Sequence, residues 1–224
     1  STSIFHSSFW YKGDILEYGT PRNDLFFNAN SDVIKRIKDN LKIPLSRKVI
    51  LYAPTFRQND KYNHYNLNYE KLLQMLEKNT DSEWIILVRL HPHLLAYSNN
   101  LVDNSTVKNV TSYDDIQELL LISDILITDY SSLMFDFALT KRPCFLYTPD
   151  LEEYVMNERN LYFDIQSLPF PIAINEDELI RVLFSFDYHQ YKEKLNSFLS
   201  KIESFESGKA CKVISKKIQE IIER

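Results

Sequence analysis

Val49-Ile50-Leu51-Tyr52-Ala53 is an unbroken apolar run closed by Pro54, and similar runs return at Trp84 to Val88, Ile125 to Thr128 and Cys144 to Tyr147. Short runs without polar alternation suit strands buried on both faces. Between them the spacing becomes helical. Ser31 to Leu41 places Val33, Ile34, Ile37 and Leu41 on one face, and Pro44 blocks its continuation. Tyr69 to Lys78, Asp114 to Leu121 and Ser132 to Leu139 are predicted helices for the same reason. Strand alternating with helix predicts an α/β fold, a Rossmann-like parallel sheet with helices on both faces. From Glu176 the pattern is helical only, with segments near 176–186, 188–204 and 209–223 that form a helical C-terminal tail.

This pattern divides the chain into three stretches. Residues 1–29 are a leading segment with one predicted strand, roughly Asp14 to Tyr18, and a turn at Gly19-Thr20-Pro21-Arg22-Asn23-Asp24. Residues 30–175 form the Rossmann-like domain, and 176–224 are helices expected to pack on it. Residues 58–66 are polar and aromatic without a period and read as a loop. The chain has no initiator Met and opens in mid-pattern at Ser1-Thr2-Ser3, which predicts a part of a longer protein.

Composition narrows the chemistry. With 224 residues and 44% hydrophobic content the chain can bury a full core. Only 3 glycines are present and no GxGxxG or GxxxxGK[ST] occurs, so phosphates must be held without a Gly-rich loop. A net charge of −5 argues against a nucleic-acid partner. Cys144 and Cys211 lack metal or redox spacing; Cys144 reads as a buried thiol, and a reducing compartment is expected. No metal and no cofactor are expected. No run is long enough to span a membrane, and no signal peptide is visible. The last helix carries Lys209, Lys212, Lys216 and Lys217, read as a solvated basic face rather than a membrane surface.

Ligands of an open parallel sheet bind outside the carboxyl ends of its strands. Four polar stretches follow predicted strands: Pro54-Thr55-Phe56-Arg57, Arg89-Leu90-His91-Pro92, Asp129-Tyr130-Ser131-Ser132 and Thr148-Pro149-Asp150. The first three gather hydroxyls, guanidinium groups and an imidazole at one sheet edge, the chemistry of a diphosphate site. Ser131 falls at or near a helix N-cap, where free N–H groups and the dipole attract anions; Ser131-Ser132 taken alone favours a plain capped helix, and the polar stretches elsewhere in the chain tip the reading to an anion site. Asp136 lies one turn on, placed to accept bonds from a hydroxyl-bearing ligand. Arg89 also fits a strand-end salt bridge, and His6, His64, His93 and His189 read as surface or loop residues.

The turn at Gly19 to Asp24, Tyr52-Ala53-Pro54-Thr55-Phe56-Arg57, Arg89-Leu90-His91-Pro92 and Thr128-Asp129-Tyr130-Ser131-Ser132-Leu133-Met134-Phe135-Asp136 resemble, in order and spacing, the CDP-glycerol glycerophosphotransferases that prime and polymerise teichoic acids and related capsular polymers. Pro143 to Tyr147 with Asp150, Glu153 and Tyr154, and then Arg159 to Asp164, resemble the family's next blocks. The resemblance implies the C-terminal, donor-binding half of a GT-B enzyme. It implies that Arg22, Pro54, Thr55, Arg89, Leu90, His91, Ser131, Ser132 and Asp136 contact CDP-glycerol or a related CDP-polyol. Among these, Arg89, His91, Ser131 and Ser132 would meet phosphate, Asp136 would hold a donor hydroxyl, and His91 would be catalytic. The implied partners are a polyol-phosphate or glycan acceptor and the enzyme's N-terminal half, at the cytoplasmic face of the bacterial membrane, bound only peripherally. Arg159-Asn160 departs from the family's Arg-Gly, and Pro169-Phe170-Pro171 from its Pro-Gly-Pro, which leaves ribitol phosphate an alternative cargo. A GT-B glycosyltransferase using a UDP- or CMP-sugar, or a non-catalytic receiver-like module with Asp129 at a strand end, are the competing readings.

Overall fold

The computed structural model describes residues 2–57, 67–94, 98, 103–157 and 163–223. Six parallel strands, β1 (Lys48–Ala53), β2 (Trp84–Val88), β3 (Val107–Asn109), β4 (Ile125–Thr128), β5 (Cys144–Tyr147) and β6 (Ile172–Ala173), form one sheet in the order β3-β2-β1-β4-β5-β6. Leu51 of β1 pairs with Leu87 on one side and Leu126 on the other, so β1 is the centre of the sheet.

The pleat sends successive side chains to opposite faces. Val49, Leu51 and Ala53 enter one core with Leu87, Leu126 and Leu146, while Ile50 and Tyr52 enter the other with Ile86, Ile127 and Phe145. That double burial is why the strands are apolar throughout. Each large side chain so enclosed contributes roughly 1.5–3 kcal/mol.

The helices are α1 (Thr2–Ser8), α2 (Asp24–Asn28), α3 (Ser31–Asn40), α4 (Tyr69–Asn79), α5 (Ile116–Ile122), α6 (Leu133–Ala138), α7 (Leu151–Asn157), α8 (Glu176–Phe184), α9 (Tyr188–Lys201) and α10 (Ala210–Ile222). One face is covered by α3, α5, α6 and α9 through Ile37, Leu119, Phe137 and Leu195. The other is covered by α4 and α8 through Leu72, Leu76 and Leu179. Side-chain caps fix several starts: Asn30 accepts the N–H groups of Asp32 and Val33, and Asp115 that of Gln117. The second cap moves the start of α5 to Ile116, two residues later than the spacing predicts.

Three expectations change. Asp14 to Tyr18 form no strand: the segment pairs with no strand of the sheet, and Leu16 and Tyr18 are exposed, so it gains no apolar burial as a strand would. Strands β3 and β6 go unpredicted because three and two residues are too few to carry a period. Helix α1 is a further element the pattern does not announce. The predicted loop at 58–66, His64 and the Arg159-Asn160 departure lie outside the described residues. Phe170 of the Pro-Phe-Pro departure is 3% exposed and fills the first core beside Phe135. Cys144 is fully buried and burial pushes its thiol far up, whereas Cys211 is exposed.

Candidate functional site

The chain winds from β1 outward to β2 and β3, then returns to place β4 on the other side of β1. The crevice beyond the carboxyl ends of β1 and β4 is therefore the topological switch point, the usual ligand position in such sheets. Pro54 and Thr55 leave β1 there, and Asp129 to Ser132 leave β4. The two loops are tied directly. The Thr55 N–H donates to both Asp129 carboxylate oxygens at 2.9 and 3.0 Å, and its hydroxyl donates to Oδ2 at 3.1 Å.

Arg57 and Asp150 build the floor rather than the binding surface. The guanidinium is 6% exposed; Nη2 donates to Asp129 Oδ2 at 2.9 Å and Nε to Asp150 Oδ2 at 2.7 Å. Nη1 donates to the Thr55 carbonyl at 2.9 Å. The rings of Tyr130 and Tyr154 stack at 3.7 Å and lie 4.9 and 4.8 Å from the guanidinium carbon. Burial works against the charge, yet Asp150 and Asp129 raise the Arg57 pKa above its ordinary value. Burial also raises Asp129, outweighing Arg57. This knot joins the loops after β1, β4 and β5 and so fixes where Thr55 and Ser131 stand.

One strand over, Arg89, Leu90 and His91 follow β2. Arg89 makes no ion pair among the described residues; its Nη1 donates to the carbonyls of Tyr113 and Val110, and burial lowers its pKa. Leu90 is 2% exposed and sits in the second core, with its N–H donated to Thr111 Oγ1 at 3.1 Å. His91 is at the surface. Its Nδ1 accepts the His93 N–H at 3.3 Å, and Nε2 makes no hydrogen bond among the described residues. Burial, and then the neighbouring His93, lower its pKa from the ordinary histidine value, which favours the neutral ring.

Ser132 is the N-cap of α6 but makes no side-chain cap bond; Ser131 Oγ instead accepts the Leu133 N–H at 3.3 Å. Among the described residues neither hydroxyl donates to the protein, so both protons are available. Because β1 lies between β2 and β4, His91 and Ser131 leave strand ends about 10 Å apart, with Thr55 between them. The diphosphate-type residues thus share one edge.

Arg22 and Asp136 meet one turn further along α6. Asp136 accepts Arg22 Nε at 3.1 Å, Asn23 Nδ2 at 3.1 Å and Gln117 Nε2 at 3.1 Å. Its carboxylate is engaged by the protein, and what it presents outward is Arg22, whose side chain is 57% exposed. Turning both amide NH2 groups toward carboxylates leaves Asn23 Oδ1 and Gln117 Oε1 buried without a partner among the described residues. The turn holding Arg22 is locked from the far end of the chain. Glu206 accepts the Thr20 N–H and Asn23 Nδ2, and Asp24 accepts the N–H groups of Ala210 and Cys211 at the start of α10. Gly19 has φ +84°, and a Cβ there would come within 2.8 Å of Glu206 Oε2. Gln117 and Glu206 are partners that sequence reasoning did not single out, and no sequence signal marked them; His93, read there as a surface or loop residue, is exposed.

Among known proteins, the family described as CDP-glycerol:poly(glycerophosphate) glycerophosphotransferase matches residues 1–220. The teichoic acid glycerol-phosphate transferase of Staphylococcus aureus is 40% identical over 97% of this chain, which spans 58% of that protein. The solved wall teichoic acid polymerase TagF superposes with a TM-score of 0.84 at 35% identity, covering 99% of this chain and 56% of its own. A CDPG-soaked form of it gives 0.83 at 33%, over 100% and 54%. A teichoic acid ribitol-phosphate primase of Bacillus spizizenii stands further off, at 31% identity over 88% of this chain and 50% of its own. With its sequence blocks on adjacent strand ends, and this match along nearly its whole length, the chain belongs to the CDP-glycerol:poly(glycerophosphate) glycerophosphotransferase family.

Proposed function

We propose that this chain is the donor-binding part of an enzyme that moves glycerol phosphate from CDP-glycerol to a hydroxyl of a teichoic-acid-like polymer. A terminal acceptor hydroxyl attacks the β-phosphorus, the bond from that phosphorus to the bridging oxygen breaks, and CMP leaves with the oxygen. The hydroxyl proton goes to a base outside this chain, in an N-terminal half that completes a GT-B cleft. Here the diphosphate would take the Ser131 and Ser132 hydroxyls, Thr55 and Pro54 would line the crevice, and Arg89 and His91 would supply donors from the next strand. A neutral His91 offers its Nε2–H without a second proton, and in a dry site such donors act mainly on the charge that grows on the departing phosphate. Arg22, aimed by Asp136, would meet the donor from the far side.

The observation that carries this reading is the placement of Thr55, His91 and Ser131 on the ends of three neighbouring strands at the switch point. The greater similarity to glycerol-phosphate than to ribitol-phosphate enzymes supports glycerol as the cargo. No helix among the described residues is long and apolar enough to cross a membrane, which is compatible with peripheral action at the cytoplasmic face. Calorimetry of this chain with CDP-glycerol, CDP-ribitol, CMP and a UDP-sugar tests the assignment. CDP-glycerol should bind tightest; preference for the UDP-sugar sends the chain to the glycosyltransferases instead.

A further inference from the structure

His91 does not stand alone at its strand end. Phe56 from the loop after β1 packs against it at 5.5 Å between ring centroids, and His93 meets it edge-on at 4.7 Å with an interplanar angle of 86°. Phe56 and His93 also touch each other, at 5.5 Å and 77°. The three rings form a closed triangle. A short 3-10 turn, Pro92–Leu94, makes this possible: the Leu94 N–H donates to the His91 carbonyl at 2.8 Å, and Leu94 is buried in the core. Leu90 anchors the other side of His91 in the same core. The backbone around the imidazole is thus pinned at both ends while its ring remains at the surface.

The bond that selects the tautomer is weak alone. At 3.3 Å, His93 N–H to His91 Nδ1 is at the long end of the useful range. A ring held only by that bond would swing between rotamers and lose the outward Nε2–H for part of the time. Aromatic contacts each bias such an equilibrium by roughly two- to tenfold, and two converge on this ring, His93 edge-on and Phe56 tilted at 37°. We propose that Phe56 and His93 form an aromatic bracket that holds the His91 imidazole in one orientation and one tautomer, with Nε2–H turned toward the diphosphate, and that His93 is a positioning residue of this site. His93 acts through His91, and this role rests on the donor site proposed above. Burial first, and His93 second, also disfavour a second proton on His91.

Long-range proton–nitrogen NMR at pH 8 on the 15N-labelled 224-residue chain reads the His91 tautomer directly, with no ligand needed, and calorimetry with CDP-glycerol reads the consequence. In the wild type, Nδ1 should be pyridine-like and Nε2 pyrrole-like. His93→Ala should move both nitrogens toward the averaged shifts of a free imidazole and weaken CDP-glycerol about 3- to 10-fold by loss of the bracket contacts. His93→Phe, which keeps the edge contact without an ionisable group, should restore the shifts and most of the affinity. Unchanged His91 shifts in His93→Ala overturn the bracket, and if affinity falls without them, His93 touches the donor itself. A wild-type chain that ignores CDP-glycerol while His93→Ala still scrambles the tautomer overturns the functional reading and leaves the bracket standing.

Discussion

Replacing Arg57 by Met keeps the length and most of the packing of the side chain but deletes the charge that two carboxylates share. Asp129 and Asp150 are each only 3% exposed in their side chains, so solvent cannot take over. Removing one member of a buried ion pair costs about 3–5 kcal/mol, and the stacked tyrosines lose a cation as well. Against a total stability of roughly 5–15 kcal/mol, that loss should be plain in urea unfolding. The pH dependence supplies the stricter test. In Arg57→Met the folded-state pKa of Asp129, already raised by burial, rises further, while the unfolded value stays near 3.9. Above that value the unfolded chain sheds its proton and the folded one resists, so the deficit relative to wild type grows as pH rises and shrinks toward pH 5. Adding Asp129→Asn to Arg57→Met should recover part of the loss. A deficit below about 1 kcal/mol at pH 8, well under the buried-pair range, or one that does not change with pH, would refute the view that this knot holds the loops.

Four further outcomes are expected. Arg89→Ala and His91→Ala should each weaken CDP-glycerol by roughly 1.5–3 kcal/mol, the range for charge-assisted hydrogen bonds; unchanged dissociation constants in both would move the site elsewhere. Asp136→Asn should weaken the same ligand through a misdirected Arg22, and Arg22→Ala should then add little on top; full additivity in the double mutant would show that the two act separately. Asp24→Ala should cost about 1–2 kcal/mol by uncapping α10. Burial pulls Asp24 upward, but the N–H groups of Cys211 and Ala210 prevail and its folded pKa is lowered, so its contribution is full above the unfolded pKa near 3.9 and fades as pH falls through the folded one. In the native chain an alkylating reagent should modify Cys211 and spare Cys144, which mass spectrometry of the labelled peptides reads; early labelling of Cys144 would contradict its burial in β5.

The central strands, the long helices and the sheet edge that carries the candidate site were legible along the chain because each follows from local repetition. Val49 to Ala53 is apolar at every position since both faces of β1 are covered, and Val33, Ile34, Ile37 and Leu41 recur at helical spacing, whereas the cap at Asp115 that sets the start of α5 was not read. The blocks around Thr55, His91 and Ser131 could be assigned to one edge because parallel strands all point the same way. Strand order was not legible. It depends on which side of β1 the chain returns to, a choice made by packing across the sheet. The same limit hid the partners of the polar residues. Arg57 and Arg89 look alike in sequence, yet one is sealed between Asp129 and Asp150 and the other binds carbonyls after β3. Asp136 reads as a free carboxylate until Asn23, Gln117 and Arg22 arrive from elsewhere in the chain. Periodicity reports what a residue does for its own element; burial, and with it charge, tautomer and direction, is set by neighbours that only the folded chain brings near.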